Sequence, residues 1–438
     1  MDWDVARSGL GLAAMVGLAW AASERRTAFP LRTVAVGVAA QLALAALLLG
    51  VPAVRQALQV LNGAVAALSD ATEAGTSFVF GYLGGGEPPF AVESPGATFV
   101  LAFQALPIVL VMSALSALLW HWGVLPALIR ALAWALGRGM RLPGSVSLAA
   151  AANVFVGMVE APLLIRPVLA RLSRADLFLI MTVGLSTIAG TVIVLYARFL
   201  DGVVDSPLGQ ILTASVISVP AAALLARVMV PGTREEEAAE TAAEAAAAAG
   251  EAGYAGSFDA LVQGIEQGLK LLLSIAATLL VLVALVALVN QIVGLASVAG
   301  APLTLQRVFG WAFAPLVWLI GIPWAEAATA GRLMGLKTVL NELIAFQGLA
   351  QTPAGELSDR SRLVMTYAIC GFANPGSVGI MIAGLTGLAQ INDVASTEPA
   401  EKLRYDVAYI RNQSFWFDLR ILLRQLWMVV EDAIGFLR

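Results

Sequence analysis

The sequence predicts an all-α polytopic membrane protein, and three observations carry that expectation. Of its 438 residues 59% are hydrophobic and only 13% are charged, about half the charge of an average soluble domain. The mean hydropathy is +0.83. Apolar runs of roughly 20 residues, enough to cross a hydrocarbon core about 30 Å thick, recur along the chain. This composition excludes a disordered chain, and 26 Lys+Arg against 30 Asp+Glu leave no basic face for nucleic acid. A single cysteine, Cys370, excludes a disulfide framework, and a single histidine, His121, excludes most His-based metal sites and triads.

The first apolar run is Leu10–Ala22, extended upstream to about Val5, and it stops at Ser23-Glu24-Arg25-Arg26. The positive charges follow the run instead of preceding it and no small-residue cleavage site appears, so a membrane helix is expected and not a signal peptide. The second run is Val34–Val51. Arg25, Arg26 and Arg32 lie between the two, which places that loop in the cytoplasm by the positive-inside rule. Residues 54–83, with Asp70 and Glu73, are amphipathic and expected along the interface. After the Gly/Pro-rich loop 84–96, Ala97–Trp120 is expected to span, and Arg130, Arg138 and Arg141 again mark the cytoplasm.

The next segment is not a simple span. Ser147–Val159 is interrupted by Glu160-Ala161-Pro162 and resumes at Leu163–Val168, each arm too short to cross. Leu177–Phe199 follows, with Gly184, Gly190 and Thr191 near its centre, then Leu208–Val230. Residues 233–253 are low-complexity Glu/Ala and read as a cytoplasmic linker. Leu261–Val293 is a long, nearly uncharged helix, able to span with tilt. The second half repeats the interrupted pattern. Trp311–Ile322 is broken by Pro323-Trp324-Ala325-Glu326, and an arm carrying Arg332, Lys337, Asn341 and Glu342 returns. A broken helix, Leu363–Leu388, is interrupted at Gly371–Ser377. Two re-entrant hairpins, each with a broken helix, in corresponding places of two halves predict an inverted-repeat secondary transporter with a scaffold and a transport domain.

A carboxylate inside an apolar segment costs roughly 2.5–3.5 kcal/mol on insertion scales and usually faces a site or cavity. Glu160 and Glu326, one per interruption, are the leading candidates; the plain alternative is that each caps a short helix. Asn374-Pro375-Gly376-Ser377 breaks a helix at membrane depth, where freed backbone groups must line a site or find partners. A proline kink without a ligand is the competing reading there. Gly184, Thr187 and Gly190 could serve close packing alone. His121 reads as a solvated interfacial residue, and Cys370 as a small packed one.

Five strings resemble the concentrative nucleoside transporters in order and spacing over roughly residues 1–390. They are Gly75–Gly81 (GTSFVFG), Ala151–Leu163 (AANVFVGMVEAPL), Gly184–Gly190 (GLSTIAG), Gly321–Ala327 (GIPWAEA) and Cys370–Asn374 (CGFAN). The resemblance implies a homotrimer whose transport domain, built from two hairpins and two broken helices, moves across the membrane with its substrate. It implies that Glu326 binds the ribose hydroxyls with Asn374 and Ser377, Phe372 forming an apolar wall. It places Gly157, Met158, Val159 and Glu160, with Val192 packed behind, against the nucleobase. It assigns a sodium ion to Asn153, Val156, Thr187 and Ile188, an amide, a hydroxyl and main-chain carbonyls. No other cofactor is implied.

Two departures stand out. Met158-Val159 replaces a Gln-Thr pair, so direct hydrogen-bond readout of the base edge is lost and broader base selectivity is expected. Residues 391–438 carry Asp406, Arg411, Asp418, Arg420, Arg424, Glu431 and Asp432, so no uncharged run long enough to span exists where the family has its last helix.

The chain is thus expected to divide into scaffold helices with an interfacial helix (1–141), a first transport repeat (142–231) and an acidic linker (232–257). A long scaffold helix with an interfacial segment (258–310), a second transport repeat (311–390) and the charged tail (391–438) follow. The expected activity is sodium-coupled nucleoside symport into the cell across the inner membrane. The alternatives are proton coupling on the same fold, a membrane-embedded enzyme using Glu160 and Glu326 as an acid/base pair, and a receptor that binds without uptake.

Overall fold

The computed structural model describes residues 3–92, 98–140, 142–158, 161, 164–165, 172–232, 254–298, 300–374, 376–378 and 381. The described chain is helical apart from one two-residue hairpin, β1 (Ser297–Val298) paired antiparallel with β2 (Ala301–Pro302), and an isolated bridge between Ala354 and Leu357. Five described segments are long and apolar enough to cross a membrane: Leu31–Gly50, Leu101–His121, Arg174–Phe199, Pro207–Met229 and Ser257–Val293.

The first helices are α1 (Trp3–Ala21), α2 (Leu31–Ala45, extended by a π turn to Gly50) and α3 (Pro52–Phe80). Proline at the first position of α3 starts it without wasting a backbone donor. The expected span Ala97–Trp120 is divided into α4 (Leu101–Gln104) and α5 (Pro107–His121), again with proline at the start of the second piece. Next come α6 (Val124–Met140), α7 (Gly144–Asn153), α8 (Arg174–Ser186), α9 (Gly190–Phe199) and α10 (Pro207–Met229). Beyond the linker lie α11 (Ser257–Val293), α12 (Leu305–Leu319), α13 (Ala327–Val339), α14 (Glu342–Ala350) and α15 (Asp359–Ile369).

Two cores meet on α10. One joins the fully buried alanines Ala149–Ala152 of α7 to Leu179, Ile180 and Val183 of α8 and to Ala222, Ala223 and Ala226 of α10. The other joins Val192–Ala197 of α9 and Ile211 of α10 to Leu333, Phe346, Leu349, Met365 and Ile369 of α13, α14 and α15. Lipid supplies no hydrophobic drive between helices, so close backbone approach through small residues has to hold them together. At Gly264 and Gly268 of α11 an added Cβ would lie 2.7 and 2.9 Å from the Ala114 and Leu110 Cα atoms of α5.

The structure corrects the placement of the second inner turn. The turn at Pro323–Glu326 joins α12 to α13, which pack through Gly310, Gly331 and Gly335; a Cβ on Gly335 would lie 2.1 Å from the Phe309 Cβ. The chain then reverses at Leu340-Asn341, where Leu340 leaves the helical region and the Asn341 side chain caps α14 by accepting from the Ile344 N–H. In each half a helix packs on a shorter one, α6 on α7 and α12 on α13. The expected arm Leu163–Val168 of the first hairpin lies largely outside the described residues.

Candidate functional site

Two helix breaks build the site. α8 ends at Ser186 because Thr187 is extended, at φ −110° and ψ 169°. The backbone groups released there find specific partners. The Ile188 N–H donates to Ser215 Oγ of α10 at 3.2 Å, and the Gly190 N–H donates to the Phe155 carbonyl at 3.1 Å. An unpaired peptide group in hydrocarbon costs several kcal/mol, so these bonds are what permit the break. α15 ends at Ile369, followed by extended Cys370 and by Gly371 at φ +132°, a conformation that favours glycine. A Cβ on Gly371 would sit 2.9 Å from the Ser186 carbonyl oxygen, so the two breaks lie against each other.

The first break gathers Asn153, Thr187 and Ile188. Asn153, the last residue of α7, is 2% exposed, and neither its Oδ1 nor its Nδ2 has a hydrogen-bond partner. The Thr187 hydroxyl donates to the Val183 carbonyl at 3.0 Å and lies 3.5 Å from the Asn153 carbonyl oxygen. Ile188 is fully buried and Val156 half-buried on the turn after α7. Gly184 lies over the same place, since a Cβ there would be 3.3 Å from Met158 Cβ and 3.4 Å from Asn153 Oδ1. An orphaned amide oxygen beside a hydroxyl and unwound main chain is a neutral, all-oxygen donor set. It fits a hard cation of low charge. Among the described residues no cluster of three His, Cys, Asp or Glu side chains could hold a metal.

The second break carries a carboxylate, and it is Glu342. Asn374 Nδ2 donates to Glu342 Oε2 at 3.2 Å, while Asn374 Oδ1 accepts the Ser377 N–H at 2.9 Å. The Tyr196 hydroxyl of α9 donates to Glu342 Oε1 at 2.8 Å. Glu342, Asn374 and Ser377 are 6%, 5% and 8% exposed. Phe372 is half-buried beside them and packs on the core that contains Val192.

Glu326 is not in this cluster. It is half-buried at the opposite end of α13, where its Oε2 accepts from the N–H and the hydroxyl of exposed Ser358, both at 3.1 Å. The 13 residues of α13, at about 1.5 Å each, set Glu326 and Glu342 roughly 20 Å apart. One diol cannot reach both. Gly157 is buried and Met158 half-buried on the turn after α7, whereas Val159 and Glu160 lie outside the described residues. Sequence reasoning passed over Glu342, Tyr196 and Ser215. Asn341 just before an apolar run is a helix-start signal that marks the second turn. For Tyr196 and Ser215 no local pattern exists, because each acts across helices.

Family models described as "Na+ dependent nucleoside transporter N-terminus", "Nucleoside recognition" and "Na+ dependent nucleoside transporter C-terminus" match residues 10–83, 102–202 and 210–398. A model described as "Bacterial sugar transferase" matches residues 377–432, mostly in the charged tail. The chain is 36% identical to the uncharacterized transporter YutK of Bacillus subtilis, covering 87% of this chain and 90% of that one. It is 33% identical to the nucleoside permease NupC of Helicobacter pylori, covering 87% and 89%. The inward-facing, substrate-bound structure of CNTnw is similar at a TM-score of 0.78 and 34% identity, covering 88% of this chain and 90% of that one. This chain belongs to the concentrative nucleoside transporter family, and it is a membrane transporter and not an enzyme.

Proposed function

We propose that the protein imports nucleosides across the bacterial-type inner membrane by sodium-coupled symport. The observation that carries this reading is the buried Glu342 carboxylate, held at a helix break by Tyr196 on Oε1 and Asn374 on Oε2, with its own backbone N–H as a further donor. A carboxylate offers about four lone-pair directions, so it keeps acceptor capacity. That capacity on an oriented carboxylate suits a ribose hydroxyl, the bond being charge-assisted. Glu342 therefore takes the role that the resemblance implied for Glu326, with Asn374 and Ser377 beside it and Phe372 as the apolar wall.

On the other side, Gly157, Met158, Val159 and Glu160, with Val192 behind, form the nucleobase end. Met158 and Val159 offer no hydrogen-bond readout, so shape governs selectivity there and near-isosteric bases are accepted together. The coupling sodium, a transported ion, is held by Asn153, Val156, Thr187 and Ile188. Its supporting observation is the orphaned Asn153 amide, since a buried polar group without a partner is costly until something pairs with it. Import proceeds by elevator-type movement of the two-repeat transport domain against a scaffold in a homotrimer.

The test is uridine and adenosine uptake into proteoliposomes under a sodium gradient, a proton gradient or neither. Sodium-driven uptake of both, with KM raised at least ~10-fold in Glu342→Gln and unchanged in Glu326→Gln, is the expected result. Uptake driven by protons alone would overturn the sodium assignment and leave the nucleoside site standing. Loss on Glu326→Gln with Glu342→Gln active would return the ribose role to Glu326.

A further inference from the structure

We propose that Tyr196 is a positioning residue that aims the Glu342 carboxylate at the sugar, and so sets how strongly the carrier prefers ribosides to nucleosides lacking the diol. The inference rests on the reading of Glu342 as the ribose acceptor. Tyr196 is 2% exposed, and its hydroxyl donates to Glu342 Oε1 at 2.8 Å. Its ring stacks on Phe346, centroids 4.8 Å apart and planes inclined by 17°. Phe346 lies four residues after Glu342 on α14, on the same helical face. One side chain therefore grips α14 twice, once through its ring and once at the carboxylate.

The hydroxyl does work that the ring cannot do. Asn374 fixes Oε2 from one side and the residue's own backbone N–H also reaches the carboxylate, but neither holds Oε1 from across the helices, and the terminal torsion has broad wells. With Tyr196 on Oε1 the carboxylate plane is set, and its remaining acceptor capacity has a defined direction. Removing the hydroxyl leaves the stack on Phe346 in place but returns that rotation, and it frees a site on Oε1 for water. Tyr196 lies on α9, directly after the first break, whereas Glu342 and Asn374 belong to the second half of the chain. The orientation of the sugar-binding group is thus set from the half that carries the cation ligands.

The experiment compares uridine with 2′,3′-dideoxyuridine in wild type, Tyr196→Phe and Glu342→Gln, reading KM and maximal uptake in proteoliposomes at saturating sodium. Tyr196→Phe is expected to raise the uridine KM about tenfold, the loss of one hydrogen bond to a charged group. Its maximal rate and its KM for the dideoxy analogue stay within about twofold, so the preference for uridine collapses. The unchanged dideoxy KM also shows that the variant is folded. An equal loss for both nucleosides, or no loss, while Glu342→Gln destroys the preference, would overturn the role of Tyr196 alone. A preference that survives Glu342→Gln would overturn the ribose reading itself, and this inference with it.

Discussion

Asn374 uses both ends of one amide: its oxygen accepts the Ser377 N–H and its nitrogen donates to Glu342. Replacement by aspartate keeps the first bond and turns the second into a meeting of two acceptors. Like charges at that distance cannot both stay ionised without cost. Asn374→Asp is therefore expected to raise the nucleoside KM at least ~10-fold at neutral pH, with partial recovery as pH falls and the pair takes up a shared proton. A KM series against pH checks the sign. Ser215 is the second residue whose value lies in a single atom, because its Oγ is the acceptor for the Ile188 N–H. Ser215→Ala strands that donor and is expected to cost about 1–3 kcal/mol, read as earlier thermal unfolding in detergent. Ser215→Thr keeps the acceptor and most of the stability.

Helices and their limits were legible wherever hydrophobicity alone decides. The runs Leu208–Val230 and Leu261–Val293 became α10 and α11 with shifts of a few residues. The second inner turn was misplaced for a physical reason. Trp311–Ile322 followed by Pro323-Trp324-Ala325-Glu326 looks like the interrupted run of the first half, while Arg332 and Lys337 make α13 look solvated. Lys337 is in fact buried, and periodicity does not distinguish a buried charge from a wet one. At the first break Asn153, Val156, Thr187 and Ile188 stood out only through the family resemblance, since small and polar residues such as Gly184, Thr187 and Gly190 read equally well as close packing. Residues that act across helices were not legible, since nothing in one helix announces its neighbour. Element packing gives its own prediction. Gly335→Val places methyl groups where Phe309 lies, whereas Gly139 of α6 has nothing within 4 Å of a Cβ. Gly335→Val should lose most folded protein in detergent chromatography, and Gly139→Val should not.

Over the whole molecule, the two cores share α10, and the two broken helices bring their breaks together at Gly371 and the Ser186 carbonyl. The proposed cation donors Thr187 and Ile188 follow Ser186 by one and two residues, and the proposed sugar-side groups begin one residue after Gly371. Backbone on either side of that contact cannot shift without displacing the other, because glycine leaves no compressible side chain between them. Coupling of this kind obeys reciprocity: if sodium tightens nucleoside binding by some factor, nucleoside tightens sodium binding by the same factor. Two titrations, nucleoside with and without sodium and sodium with and without nucleoside, must return equal ratios. Gly371→Ala should shrink both ratios together by prising the breaks apart. If the proposed sodium coupling holds, a carrier wired in this way is discouraged from moving half-loaded, and a single peptide carbonyl resting on a glycine helps keep the sodium gradient from being spent on an empty cycle.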